Sequence, residues 1–176
     1  MIKIILITVI VLIAAVLIFA ATKPDSFQVQ RSVSIKAPPE KIFPLINDLH
    51  HMQTWSAWEK VDPTMKRTYS GTHSGVGAKY AWEGNREIGQ GSMELTKSIP
   101  SSKVSFNLDF IKPFEGHNTV DFTLQPNGEN TVVTQTMNGK SPYLAKVMCL
   151  LFFKKDKMIG DKFEEGLATL KTIAEL

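Results

Sequence analysis

The chain is poor in cysteine: Cys149 stands alone among 176 residues, which excludes an intrachain disulfide and a cysteine-based zinc motif. It also lacks an excess of one charge. The 20 Lys and Arg against 17 Asp and Glu leave a net +3, and like charges never run beyond a pair. A polybasic tail and an acidic disordered chain are thereby excluded. No G-x-S-x-G motif is present, and Cys149 lies in an apolar helical run where a thiol is inert packing, so nucleophilic catalysis has no obvious carrier. His50, His51, His73 and His117 show no ligand-pair spacing on one helix face and no accompanying metal motif. Gly75-Val76-Gly77 and Gly89-Gln90-Gly91 sit between strands, with no helix amino terminus to complete a phosphate loop. Basic residues are interleaved with acidic ones, unlike a nucleic-acid surface. The expectation is therefore no catalytic residue, no metal, no cofactor and no nucleic-acid partner.

What the chain does have is one long apolar run, Ile4 to Ala21, uncharged and preceded by Lys3. At about 1.5 Å per residue it nearly crosses a hydrocarbon core of roughly 30 Å. A retained single-pass anchor is the expectation. A cleaved signal fits Lys3 and the terminal alanines, but cutting after Ala20 or Ala21 places Ile18 or Phe19 where a small residue belongs. A buried core helix is the third reading. The chain then divides into an anchor at 1–22, a linker at 23–26 and one domain at 27–176. A cell-membrane location follows from the anchor. The side stays open, because Lys3 lies before the run while Lys23, Arg31 and Lys36 lie after it.

Beyond the linker, Phe27, Val29, Val33 and Ile35 alternate with polar residues as in a half-buried strand. Pro38-Pro39 stops it and starts a helix, and the apolar spacing from Ile42 to Leu49 and on to Trp55 predicts two short helices with a bend. Six alternating runs follow: 66–70, 76–83, 89–98, 103–111, 118–124 and 131–137. They are separated by turn residues such as Asn127-Gly128. After Asn138-Gly139, helical spacing from Leu144 to Ile173 predicts one long C-terminal helix, with Ser141-Pro142 as its start. The fold class is α+β: a curved seven-stranded antiparallel sheet that must cover its inner face with that helix.

Four stretches carry a family resemblance: Ala37-Pro38-Pro39-Glu40-Lys41-Ile42-Phe43, Trp55-Ser56-Ala57-Trp58, the hairpin from Gly75 to Asn85, and Asp156 to Glu164. Over 27–176 the chain resembles the SRPBCC superfamily, which has the START or birch-pollen-allergen-like helix-grip fold. It is most similar to the polyketide cyclase/dehydrase and lipid transport branch. The resemblance implies a cavity between sheet and long helix that holds a lipid or other apolar molecule. It carries no universal catalytic motif.

The residues expected to line that cavity are Arg31, Trp55, Trp58, Tyr80, Trp82, Met93, Phe106, Phe110, Gln135, Met137, Met148 and Phe152. Their spacing alone fits a solid core as well as a cavity. Arg31 and Gln135 are in phase with apolar inward residues and are the candidate polar handles. For Arg31 the competing reading is a packed stem with its head in solvent. Glu83, Asn85, Arg86 and Glu87 frame either a cavity mouth or a solvated turn. Met148 to Phe153, followed by Lys154-Lys155, reads either as a fully buried helix section or as an interfacial patch on a bilayer. The expected function is a membrane-anchored binding protein for a hydrophobic small molecule or lipid. The alternatives are a cyclase-like enzyme acting in the same cavity and a protein-binding module.

Overall fold

A computed structural model describes residues 2–151 and 154–176. The apolar run forms α1, Ile2–Ala21, in which Ala20 is the one buried residue. Chain then enters β1, Ser26–Ile35, and Pro38-Pro39 ends it. Proline at the first helical position loses no hydrogen bond and fixes φ, so α2 starts there and runs Pro39–Asn47. A short α3, Met52–Trp55, and a 3-10 turn, Ala57–Lys60, complete the bend.

Six strands follow: β2, Lys66–Gly71; β3, Ala78–Glu83; β4, Gln90–Ile99; β5, Lys103–Lys112; β6, Gly116–Asn127; and β7, Asn130–Lys140. All pair antiparallel in one sheet of order β1-β7-β6-β5-β4-β3-β2. The meander is thus sequential except that the first strand pairs with the last. Between β6 and β7 the turn is tight, with Asn127 opposite Asn130 and Gly128 at φ 62°. That left-handed conformation strains any residue with a Cβ, so glycine belongs there. Two register shifts in β4, at Gln90/Gly91 and Leu95/Lys97, are bulges of the kind that bend a sheet.

Period-two alternation turns Val29, Val133, Phe122, Phe106, Leu95 and Tyr80 to one face, where all are buried. Helix α5, Lys155–Ala174, covers that face with Ile159, Phe163, Leu167 and Leu170. At Gly166 the helix passes over Trp55 and Ala57, where even an added Cβ would make only ordinary contact, 3.5 Å from the Ala57 nitrogen and 3.6 Å from the Trp55 carbonyl oxygen. The C-terminal helix is shorter than helical spacing alone suggests. Leu144, Val147, Met148 and Leu151 belong to a separate α4, Tyr143–Leu151, which packs against α1 instead of the sheet. Apolar residues on nearly every side of this segment leave the periodicity unable to tell which partner it covers.

Candidate ligand site under the C-terminal helix

The inner face of the sheet carries a continuous row of rings. His50 stacks on Tyr69 at 4.2 Å between centroids, and Tyr69 lies 5.2 Å from Tyr80. Tyr80 stacks on Trp82 at 5.9 Å, and Trp82 meets Phe110 edge-on at 5.9 Å. Cross-strand register builds this row, with Tyr69 opposite Tyr80 and Trp82 opposite Gly91, which is itself opposite Phe110. A Cβ at Gly91 would collide with the Trp82 ring, so glycine makes the seat for that indole.

Beneath the rings lies a polar cluster. Tyr80 Oη donates to Glu59 Oε1 at 2.6 Å, and Arg67 Nε donates to Glu59 Oε2 at 2.8 Å. Glu59 is 9% exposed, and both its oxygens are engaged. Burial, then the hydrogen bond and charge of Glu59, push the Tyr80 phenol far up. It therefore holds its proton as a donor and supplies no phenolate base. Nearby, the Thr64 hydroxyl and the Asn85 backbone N–H donate to Asp62 and hold its carboxyl below the usual range.

At the opposite edge, Arg31 of β1 is clasped by α5. Its Nε donates to Glu164 Oε1 at 2.6 Å and its Nη2 to Asp156 Oδ2 at 3.0 Å. The guanidinium is thus occupied by two carboxylates of the chain itself. Opposite Arg31 in the β1–β7 register stands Gln135, 8% exposed, whose Oε1 is buried with no hydrogen-bond partner among the described residues.

Of the other expected residues, Met93, Phe106 and Met137 are buried on the inner face. Trp55 is 2% exposed, and its Nε1 donates to the Leu45 carbonyl. Its ring meets Phe122 edge-on at 5.8 Å, and Phe122 meets Phe106 the same way. Trp58 and Phe110 are half-buried. Met148 stands on the exposed side of α4, and Phe152 lies outside the described residues. Glu83, Asn85, Arg86 and Glu87 are exposed at the β3–β4 turn.

Two open hollows, of about 520 and about 150 Å³, occur on the outer face of the sheet. Of the expected lining residues, only Trp82 borders either one. The larger is lined mostly by polar residues, among them Asn107, Asp109, His117 and Asn138.

Sequence spacing missed three groupings. Glu59 and Arg67, with the Tyr80 hydroxyl, form the polar base of the ring row, and the register that places Arg67 opposite Trp82, on the same strand β3 as Tyr80, is the signal that could have found it. Arg31's partners lie 125 and 133 residues away, with no local signal. Asp48, His50 and His73 each bring one ligand atom within 4.8 Å of the others, a set able to hold a divalent cation. His50 Nδ1 lies 2.8 Å from Asp48 Oδ1, and His73 Nδ1 lies 3.6 Å from Asp48 Oδ2. Partial burial opposes ionisation of Asp48, but the His50 backbone N–H and ring outweigh it and lower its pKa.

A seven-stranded sheet gripping a C-terminal helix defines a helix-grip protein. The chain belongs to the polyketide cyclase/dehydrase and lipid transport family of the SRPBCC superfamily, which its sequence matches over residues 26–175. No curated protein matches it in sequence. Among solved structures it is similar to ginseng major latex-like protein 151 from Panax ginseng, with TM-score 0.63 and 11% identity over 86% of this chain and 99% of that one. The Aha1 dimer from Colwellia psychrerythraea aligns with TM-score 0.60 and 20% identity over 85% and 97%. Protein CV1439 from Chromobacterium violaceum gives TM-score 0.61 and 13% identity over 88% and 99%. At these identities the likeness establishes the fold alone.

Proposed function

We propose that the domain binds a hydrophobic small molecule or lipid between the inner face of the sheet and α5, and that α1 anchors it in a membrane. Family and fold support the hydrophobic-ligand reading. The observation that carries it is Gln135 Oε1, because a buried acceptor without a partner costs about 1–3 kcal/mol unless a ligand or water donates to it. Phe122 stands opposite Gln135 on β6 while Arg31 stands opposite it on β1, so one polar edge adjoins an apolar inner face, and most of the binding free energy comes from desolvation and shape. The close edge-on packing of Trp55, Phe106 and Phe122 means that a ligand enters by displacing side chains or by lifting α5. Met93 and Met137 are the adaptable fillers. Helix α1 is 20 residues long with a mean hydropathy of 3.3, enough to cross a bilayer. Signal sequences pass the same test, and the anchor reading rests on the poor cleavage site.

Native mass spectrometry with organic extraction of the detergent-purified full chain tests the ligand reading. A reproducible co-purified apolar molecule supports it. A clean apo mass together with no uptake from a lipid extract removes it. That outcome favours a second reading, a protein-binding module, which the closely packed rings under α5 also suit.

A further inference from the structure

Helix α4 is tied to the membrane end of α1 and leaves an apolar face uncovered. Tyr143 Oη donates to the Leu17 carbonyl at 2.9 Å, and Lys146 Nζ donates to the Lys23 carbonyl at 2.7 Å and to Asp25. Leu17 lies four residues before the end of α1, so the tyrosine hydroxyl sits roughly 6 Å inside the apolar helix. That is the depth at which amphipathic tyrosines sit in bilayers. On its outer side α4 exposes Leu144 at 70% and Leu151 at 51%, with Met148 between them on the same helical face. The neighbouring surface is cationic. Lys140 follows from the β1–β7 register, being opposite Ser26, and Lys154 precedes α5. Lys23, Lys140 and Lys154 are exposed and form no salt bridge among the described residues, while Asp25 is paired with Lys146 and Asp156 with Arg31.

We infer that α4 is an interfacial helix whose Leu144, Met148 and Leu151 face lies at the headgroup and acyl boundary of the bilayer that α1 crosses, with Lys23, Lys140 and Lys154 at anionic headgroups. This rests on the reading of α1 as a span. The occupant is fixed by continuity: a face attached to the last turns of a spanning helix has lipid as its neighbour. Composition and charge agree, since interfacial helices pair a leucine-rich side with lysines. The proposed ligand site under α5 would thereby be tethered near the surface in which an apolar ligand dissolves.

Spin labels on the full chain in phosphatidylcholine and phosphatidylglycerol vesicles test this. Leu144→Cys and Leu151→Cys, each in a Cys149→Ser background, are compared with Val76→Cys at the β2–β3 turn, which is 56% exposed. Labels at 144 and 151 should collide several-fold more with oxygen, and less with a water-soluble nickel chelate, than the label at 76. Nickel accessibility at 144 and 151 equal to that at 76 overturns the proposal. So does dipolar broadening that vanishes on dilution with unlabelled protein, because it places α4 against a second copy. Alkaline carbonate extraction of the same vesicles separates the two readings. Release of the chain removes the span and the interfacial helix together, whereas retention with water-exposed labels removes the interfacial helix alone.

Discussion

Gly160 of α5 lies directly beneath the guanidinium of Arg31 of β1, and any Cβ at that position would overlap it. The absent side chain lets one arginine reach Asp156 and Glu164, one turn of helix to either side of the glycine. These contacts tie the first strand to the helix that covers the proposed pocket.

Replacing a helical glycine by alanine ordinarily stabilises by about 1 kcal/mol. Gly160→Ala in the native chain should gain less, because the new methyl displaces Arg31 from its carboxylates. In an Arg31→Ala background the same change should give its full gain. A double-mutant cycle read by chemical denaturation checks the coupling, and strict additivity contradicts the clasp.

Tyr80→Phe removes the donor to a buried carboxylate and leaves Glu59 with Arg67. A stability loss of about 1–3 kcal/mol is expected. Because the phenol is held protonated, the loss should be the same across neutral pH. A loss confined to alkaline pH contradicts the assignment of Tyr80 as a proton donor.

Gln135→Leu removes the unpaired acceptor while keeping the side-chain volume close. The unliganded domain should become more stable by about 1 kcal/mol, and affinity for a ligand bearing a hydrogen-bond donor should fall about tenfold, as measured by thermal melts and ligand titration. Unchanged affinity together with unchanged stability removes Gln135 from the site.

The Asp62 carboxyl is held below its ordinary value of 3.8 by Thr64 and then Asn85. A lowered folded-state pKa contributes stability that is complete above the unfolded value and is lost as pH falls through the folded one. Asp62→Asn should therefore melt at a temperature that varies less with pH below about 4 than the native chain does. Parallel melting curves for the two proteins in that range contradict the assignment.

The strands were legible because alternation and turn chemistry act within a few residues. The run expected at 103–111 forms Lys103–Lys112, and that at 131–137 forms Asn130–Lys140. Inward phases were equally readable: Arg31 and Gln135 both lie on the inner side of their strands, opposite one another. Their present partners were not readable. Whether an inward arginine meets solvent, a ligand or Asp156 depends on how a helix more than a hundred residues later is rotated. The polar base around Glu59 was hidden for a related reason, since nothing local marks Glu59 as buried until Arg67 and Tyr80 are folded onto it. The boundary between α4 and α5 falls in a run apolar on all sides, where periodicity has no contrast.

The edge position of β1 also sets an order of events. Gln28 pairs with Asn138, 110 residues downstream, so the first strand has no partner until nearly the whole domain has left the ribosome. If α1 spans a bilayer as proposed, β1 waits at the membrane surface while the later strands are made. The apolar side of β1 is then a transient hazard for aggregation. Arrival of β7 gives β1 its partner and α5 then brings the carboxylates that seat Arg31, so truncation before Lys140 should leave a chain that is degraded.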